Sequence, residues 1–319
     1  MQVLLDETYL LIAVGTLTLI SMTFLFIDGV ESLASRKNLT RFATGALLAA
    51  VLTALPETII ALTSPFHSDA VALEIGIGSV LAAPSMTLFI GVAIVGLSWR
   101  RVDLHKLTRR QISVNYAGFM AFISIALIAS MLPPFLRFLV GISLILGYVA
   151  FARHFYLQGG ERVEEGRVSY FERVLDRKWT GLILMQVLMA SILMVIGANA
   201  FISGISRLTD PFTYSLLVSP FATCLEELVV AIFWMIFGKH DISLSLLSGE
   251  NLTQSTLVMG LASIFTGWDL PESSMYVFAL YWGAGSLYIA LLMLSRVRAL
   301  TLGFAFYAAY FLISLSRVL

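Results

Sequence analysis

The segments Thr53-Ala54-Leu55-Pro56-Glu57 and Thr223-Cys224-Leu225-Glu226-Glu227 decide how the rest of this 319-residue chain is interpreted. Each places glutamate inside a long apolar stretch, and the first has a proline directly before the acid. A proline inside a helix removes one backbone hydrogen bond and displaces the carbonyl four residues earlier. Interrupted helices with acids at matching places in two halves of a chain indicate an internal repeat built around polar groups.

The surroundings of these two segments are too apolar for a water-soluble protein. Hydrophobic residues make up 59% of the chain and charged residues 13%, with a mean hydropathy of +0.90, whereas soluble domains carry about 25% charged residues. Runs such as 9–27 and 112–132 reach the roughly 20 apolar residues that a spanning helix requires. The expected partner of most of the chain is therefore the lipid bilayer, and no nucleic acid is expected.

The apolar runs predict an all-α polytopic membrane protein with about ten transmembrane helices. Short polar breaks separate the runs, and the breaks set the expected ends of the helices. The predicted segments are 8–28, 39–64, 70–98, 112–132, 135–156, 180–204, 212–237, 242–266, 273–294 and 298–316.

A polar stretch at 158–179 divides the helices into two sets of five, at 1–157 and 180–319. The sets are related, because FIDGVESL at 26–33 is echoed by FISGISRL at 201–208. Five is an odd number, so equivalent helices must cross the membrane in opposite directions, which makes the halves inverted repeats. We interpret 158–179 as a solvated linker in preference to a short amphipathic helix.

The distribution of basic residues predicts the orientation of the chain. If the helices alternate in direction, all Lys and Arg residues except Arg137, Arg207 and Arg317 fall on one side of the membrane. The positive-inside rule makes that side cytoplasmic, with the linker, and places both termini outside. The first segment follows Asp6 and Glu7 without a basic start, so it is expected to remain as a helix in an integral protein, with the plasma membrane the expected location.

Five glutamates fall inside predicted spanning segments, and no Lys or Arg lies at comparable depth. An ionised carboxylate near the bilayer centre costs several kcal/mol unless a cation, a proton or a polar cavity compensates it. The compensating charge is therefore expected from metal ions or protons. Carboxylates and carbonyls are hard oxygen ligands that suit Ca²⁺, Mg²⁺, Na⁺ or Mn²⁺. The five are Glu57, Glu74, Glu226, Glu227 and Glu250.

These acids are not expected to be equivalent. Glu57 and Glu227 occupy matching places in the repeats, whereas Glu226 is about 100° of helix rotation away from Glu227. Glu74 lies near a helix start, where a carboxylate is stabilised by the helix dipole, and Glu250 is a candidate ligand, proton carrier or partner of its neighbour. Hydroxyl and amide residues near the acids supply neutral oxygen ligands. The predicted metal-ligating set is Glu57, Glu227, Glu250, Thr53, Thr223, Ser79, Gln254 and Glu226.

Other chemistries have no support in the sequence. The four histidines have no ligand spacing, there is no phosphate-binding loop, and no serine-histidine-acid or metalloprotease pattern occurs. Neither an enzymatic activity nor a resident cofactor is therefore expected. Besides active transport, the acidic cluster also allows a cation channel or leak pathway, or a protein that binds cations without transporting them.

These motifs resemble the calcium/cation antiporter superfamily, through 26–29, 53–57 and 76–79 in the first half and 201–204, 223–227 and 249–254 in the second. The resemblance implies exchange of Ca²⁺, or another divalent cation, for Na⁺ or H⁺ by alternating access. It implies that Glu57 and Glu227 hold Ca²⁺ and that Thr53 and Thr223 contribute oxygens to the flanking positions.

The chain departs from that pattern at its site. Ala54 and Ala83 stand where the family's first repeat offers serine and asparagine, and Gln254 stands where the second offers an acid or amide. Glu226 replaces the second proline and Glu250 replaces a serine. The two central glutamates are kept while other oxygen ligands move toward the second repeat, which leaves the coupling ion open between Na⁺ and H⁺.

Overall fold

The computed structural model describes residues 2–54, 58, 62, 70–98, 106–157, 160–163, 166–205, 219–270 and 274–318. Within these ranges it describes all side chains except those of residues 2–6, 8, 70–76, 106–107, 198, 201–205, 219–223 and 317–318. The regular secondary structure of this part of the chain is helical, and one isolated bridge joins Thr40 to Arg162.

Apolar helices long enough to cross a membrane form most of the molecule, as the composition predicts. Seven described helical stretches meet that criterion, and Arg41–Thr53 is a shorter apolar helix. The helices are α1 (Gln2–Arg36), α2 (Arg41–Thr53), α3 (70–98), α4 (Lys106–Ser130), α5 (Pro134–Leu157), α6 (Tyr170–Val174), α7 (Thr180–Ile205), α8 (Ser219–Ile236), α9 (240–265), α10 (Met275–Met293) and α11 (297–318).

Three of these helices contain a wider π-helical turn. The turns are Thr44–Ala49 in α2, Met86–Gly91 in α3 and Gln254–Val258 in α9. Turns of this kind interrupt the regular backbone bonding of an α-helix and are frequent at functional sites. They lie in the helices to which the sequence assigns candidate ligands.

The first helix is longer than the 8–28 segment predicted from hydropathy. Helix α1 continues to Arg36, which keeps Asp28 and Glu31 within the helix. The hydropathy of this last part is lowered by charges, but those charges have partners on neighbouring elements. The Ser32 hydroxyl also donates to the Asp28 carbonyl at 2.7 Å. Tertiary ion pairs, which hydropathy does not report, therefore extend the helix.

Helix α9 is at the centre of the molecule, and α5 is at its periphery. Every residue from Ile242 to Thr253 is buried, as expected of a helix surrounded by others. In contrast, only 11% of the apolar window of α5 is buried. Helices α1 and α7 lie along one another as a pair. The central position of α9 removes Glu250 from contact with lipid.

Most described residues of the linker are exposed, but Ser169 and Glu172 are buried against the neighbouring helices. Ser169 caps α6 in a capping box with Glu172, and the Arg36 guanidinium pairs with the Glu172 carboxylate at 2.8 Å. The amide N–H of Phe171 donates to Gln186 of α7 at 2.8 Å. The linker is thus held against the ends of α1 and α7.

Candidate functional site

Two glycines bring α2 and α9 into direct backbone contact. A Cβ atom at Gly249 would lie 2.3 Å from the Cα atom of Ala46, and one at Gly45 would lie 2.4 Å from the Ile242 carbonyl oxygen. Such distances exclude any larger residue without movement of the backbone. Small residues at crossing points are the usual means of close helix packing in membranes. The contact carries the end of α2 to the middle of α9.

Thr53 and Glu250 meet at this crossing. The Thr53 Oγ1 atom lies 3.1 Å from Oε2 of Glu250 and 3.1 Å from the carbonyl oxygen of Ala49. Thr53 is 1% exposed and Glu250 is fully buried. Because a hydroxyl has one proton, Thr53 either donates to the carboxylate or donates to Ala49 and accepts from a protonated Glu250. The contact therefore suits both protonation states of Glu250.

Asn251 presents a fixed amide on the next position of α9. Its Nδ2 atom donates to the Leu247 carbonyl at 2.7 Å, and its Oδ1 atom accepts from the Thr87 hydroxyl at 3.1 Å. The two bonds determine which way the amide points. Thr87 lies in the π-helical turn that follows Pro84 of α3. Sequence reasoning missed Thr87, although a proline inside an apolar helix was a signal for a polar interruption there.

Cys224 connects α8 with α3 and α9. Its thiol donates to the Ala83 carbonyl oxygen at 3.4 Å, and Nε2 of Gln254 lies 3.9 Å from its sulfur. All three residues are fully buried. The Oε1 atom of Gln254 has no hydrogen-bond partner among the described residues.

The remaining predicted ligands divide into buried residues and residues outside the described part. Glu227 is fully buried in α8, Glu226 is 2% exposed and Ser79 of α3 is 1% exposed. Both neighbouring acids are buried although they point in different directions, because α8 is enclosed on both sides. Glu57 lies outside the described residues, as do the side chains of Thr223 and Glu74.

The described residues contain no group of three or more His, Cys, Asp or Glu side chains close enough to hold a metal ion. Glu57, the predicted partner of Glu227, is not among those residues. What the structure brings together is a set of buried oxygen groups on α2, α3, α8 and α9. The close contacts are Thr53 with Glu250, Thr87 with Asn251, and Cys224 with both Ala83 and Gln254.

Comparison with known proteins identifies the family. The profile described as "Sodium/calcium exchanger protein" matches residues 7–157 and 182–318. The chain belongs to the sodium/calcium exchanger protein family. The resemblance stated from the motifs is confirmed, and the protein is an integral membrane ion antiporter by family. The two matched stretches leave out the whole linker, 158–179, and include every predicted ligand.

Solved structures of the sodium-calcium exchanger NCX_Mj have a similar fold. Crystals soaked with 10 mM Na⁺ and no Ca²⁺ give a TM-score of 0.62 at 17% identity, over 92% of this chain and 98% of that chain. Crystals soaked with 10 mM Na⁺ and 10 mM Sr²⁺ give 0.63 at 18% identity over the same shares. No curated protein matches the sequence. The present chain therefore shares the fold of NCX_Mj at low sequence identity.

Proposed function

We propose that this protein is a secondary active antiporter that exchanges a divalent cation for Na⁺ or H⁺. Ca²⁺ is the divalent cation that we favour. The transported ions would bind among Glu57, Glu227 and Glu250, with neutral or additional oxygens from Thr53, Thr223, Ser79, Gln254 and Glu226. The fully buried carboxylates of Glu227 and Glu250 carry the proposal. Carboxylates enclosed by apolar helices must exchange one compensating charge for another, because leaving them empty and ionised is costly.

The chemistry of the buried groups favours a hard divalent cation. Carboxylate, hydroxyl and amide oxygens are the ligands that Ca²⁺ accepts in flexible geometries. One of the NCX_Mj structures comes from crystals soaked with 10 mM Na⁺ and 10 mM Sr²⁺. Sr²⁺ is a close chemical analogue of Ca²⁺. Binding of such a divalent cation is carried over to the present chain as part of the proposal.

Alternating access is the mechanism that we propose for the exchange. Helices α2, α3, α8 and α9 would stay together around the acids while the pair α1 and α7 slides across them. Support comes from the backbone contact of α2 with α9 and from the long mutual packing of α1 and α7. The proposal includes two inverted five-helix repeats, 1–157 and 180–319, with the 158–179 linker cytoplasmic and both termini outside, in the plasma membrane.

Flux measurements in proteoliposomes test the function. We expect uptake of radioactive Ca²⁺ when a Na⁺ or H⁺ gradient is imposed outward, and no uptake without one. Glu227→Gln is expected to abolish uptake, because an amide supplies neither the charge nor the second acidic oxygen. A control substitution on the lipid-exposed helix α5, Leu146→Ala, is expected to leave uptake unchanged. Absence of any gradient-driven divalent flux would overturn the proposal.

Two other functions are separated by further measurements. A cation channel or leak pathway would conduct in electrical recordings without a counter-gradient. A family member that binds cations without transporting them would release heat on cation binding in calorimetry but give no flux. If the Glu57→Gln variant binds cations as the parent does, cations do not bind at the predicted site.

A further inference from the structure

A second group of buried charges lies at the linker end of the molecule, away from the candidate ion site. Its centre is Glu31 of α1, whose side chain is fully buried. The carboxylate forms ion pairs with Arg167 of the linker and Lys239 of the turn between α8 and α9. It also accepts a hydrogen bond from the indole N–H of Trp234 in α8 at 3.1 Å. One carboxylate thus joins three separate elements.

Asp28, one helical turn earlier, has a different set of partners. It accepts from the amide N–H of Tyr170 at 2.7 Å, from Arg173 at 3.0 Å and from Gln186 of α7 at 3.0 Å. The Arg167 guanidinium lies 3.9 Å from it. All of these partners belong to the linker or to α7, so they would travel with α1 if the pair α1 and α7 moved as a unit.

The bonds of Glu31 to Lys239 and Trp234 instead cross to α8 and α9. Any sliding of α1 over those helices must break them, because ion pairs and hydrogen bonds have strict distance limits. By contrast, Phe24 of α1 and Phe233 of α8 are joined only by an apolar ring contact, with centroids 4.3 Å apart. Apolar contacts have no fixed direction and allow sliding.

The two cations of this group are within reach of water, although the carboxylate is not. Arg167 and Lys239 side chains are 30% and 25% exposed. When the contact opens, Lys239 can be hydrated at once, whereas the Glu31 carboxylate moves with α1 and keeps Arg167 as its partner. The contact is therefore reversible in a way that a wholly enclosed ion pair is not.

We propose that Glu31, Lys239 and Trp234 form a latch that closes the linker end of the α1–α7 pair against α8 and α9, with Arg167 holding the Glu31 carboxylate on the moving side. Breaking the latch opens the path from that end to the ion site. The inference rests on the proposed exchange by alternating access, and it adds the contact that controls opening on one face.

The single cysteine of the chain is a native reporter for this opening. Cys224 is fully buried in α8, beside the candidate ion site. Its labelling by a small, membrane-impermeant, positively charged thiol reagent is measured in sealed vesicles, with the reagent added to either face. We expect Glu31→Gln and Lys239→Gln to label roughly tenfold faster than the parent from one face only, since each loses a charge-assisted bond.

Asp28→Asn is the matched control. It removes a charge of the same sign one turn away on α1, but its bonds lie within the unit that would move together. We expect it to label at the parent rate. Size-exclusion profiles check folding, and if Glu31→Gln does not fold, Lys239→Gln alone carries the test, because it keeps Glu31 with Arg167 and Trp234.

The latch is overturned if both folded variants label at the parent rate, if Asp28→Asn labels as fast as they do, or if labelling rises equally from both faces. Exchange of Ca²⁺ for Ca²⁺ by the parent protein, without a gradient, is measured separately. Its absence would overturn the proposed function, while intact exchange with unchanged labelling would overturn only the latch.

Discussion

At the scale of single residues, the candidate site depends on hydroxyl and amide groups as much as on acids. Thr53 lies 3.1 Å from Glu250, and Thr87 lies 3.1 Å from the amide oxygen of Asn251. A buried carboxylate or amide that loses such a neighbour keeps its desolvation cost. Substitutions that remove one hydroxyl while keeping the volume of the side chain therefore test these hydrogen bonds directly.

Thr53→Val is expected to weaken the apparent Ca²⁺ affinity in exchange assays about tenfold, because it removes a buried hydroxyl next to Glu250. Thr53→Ser keeps the hydroxyl and is expected to remain near the parent. The comparison is made by titrating external Ca²⁺ in proteoliposomes. Equal affinities for the valine and serine variants would show that the hydroxyl contributes nothing to the site.

Asn251→Asp is expected to lower the free energy of unfolding by about 1–3 kcal/mol, because it turns the Nδ2 donor toward Leu247 into an acceptor oxygen. The bond that it removes is 2.7 Å long in the structure. Thermal unfolding followed by tryptophan fluorescence in detergent measures the change. Thr87→Val, which removes only the other bond of the amide, is expected to have a smaller effect. A fully stable aspartate variant would contradict the assigned amide orientation.

At the scale of helices, the site depends on the close crossing of α2 and α9. The crossing requires glycine at 249, where an added Cβ would meet the backbone of Ala46. At Gly78, its counterpart in the predicted first repeat, no described atom lies within 4 Å of an added Cβ. The two glycines lie in the matching motifs 76–79 and 249–254, and among the described residues only Gly249 is at a backbone contact.

Gly249→Ala is expected to destabilise the protein by about 1–3 kcal/mol or more, because overpacking forces backbones apart, and to reduce exchange as Thr53 and Glu250 separate. Gly78→Ala is expected to be neutral or up to about 1 kcal/mol stabilising, since alanine is the better helix former. Unfolding temperature and Ca²⁺ exchange are measured for both. A Gly249→Ala protein as active and stable as Gly78→Ala would show that the backbone contact is not needed.

At the scale of the whole molecule, buried acids surrounded by packed helices predict coupled rather than free movement of ions. Release of a divalent cation into one compartment is expected to require a cation on the same side to replace it at the acids. Ca²⁺ efflux from loaded proteoliposomes should therefore rise at least about tenfold on adding external Na⁺, H⁺ or Ca²⁺, depending on the coupling ion. Efflux that is independent of every external cation would contradict exchange.

The sequence by itself determined the membrane class, the family and the burial of the acids in α8 and α9. Hydropathy and matching motifs are local or repeated features of the sequence, so they can be recognised without knowledge of how the helices pack. Glu227 and Glu250 were assigned to the interior because ionised groups in apolar segments avoid lipid, and both are fully buried.

Only the tertiary structure decided which residues meet. Hydropathy ended the first helix at 28 and left Glu31 outside it, since the partners of that carboxylate, Arg167 and Lys239, are more than a hundred residues away along the chain. Thr87 and Cys224 were likewise found through contacts with α9 and α3. Periodicity and composition describe each segment alone, whereas the contact of Thr53 with Glu250 exists because two distant glycines, Gly45 and Gly249, let two backbones touch.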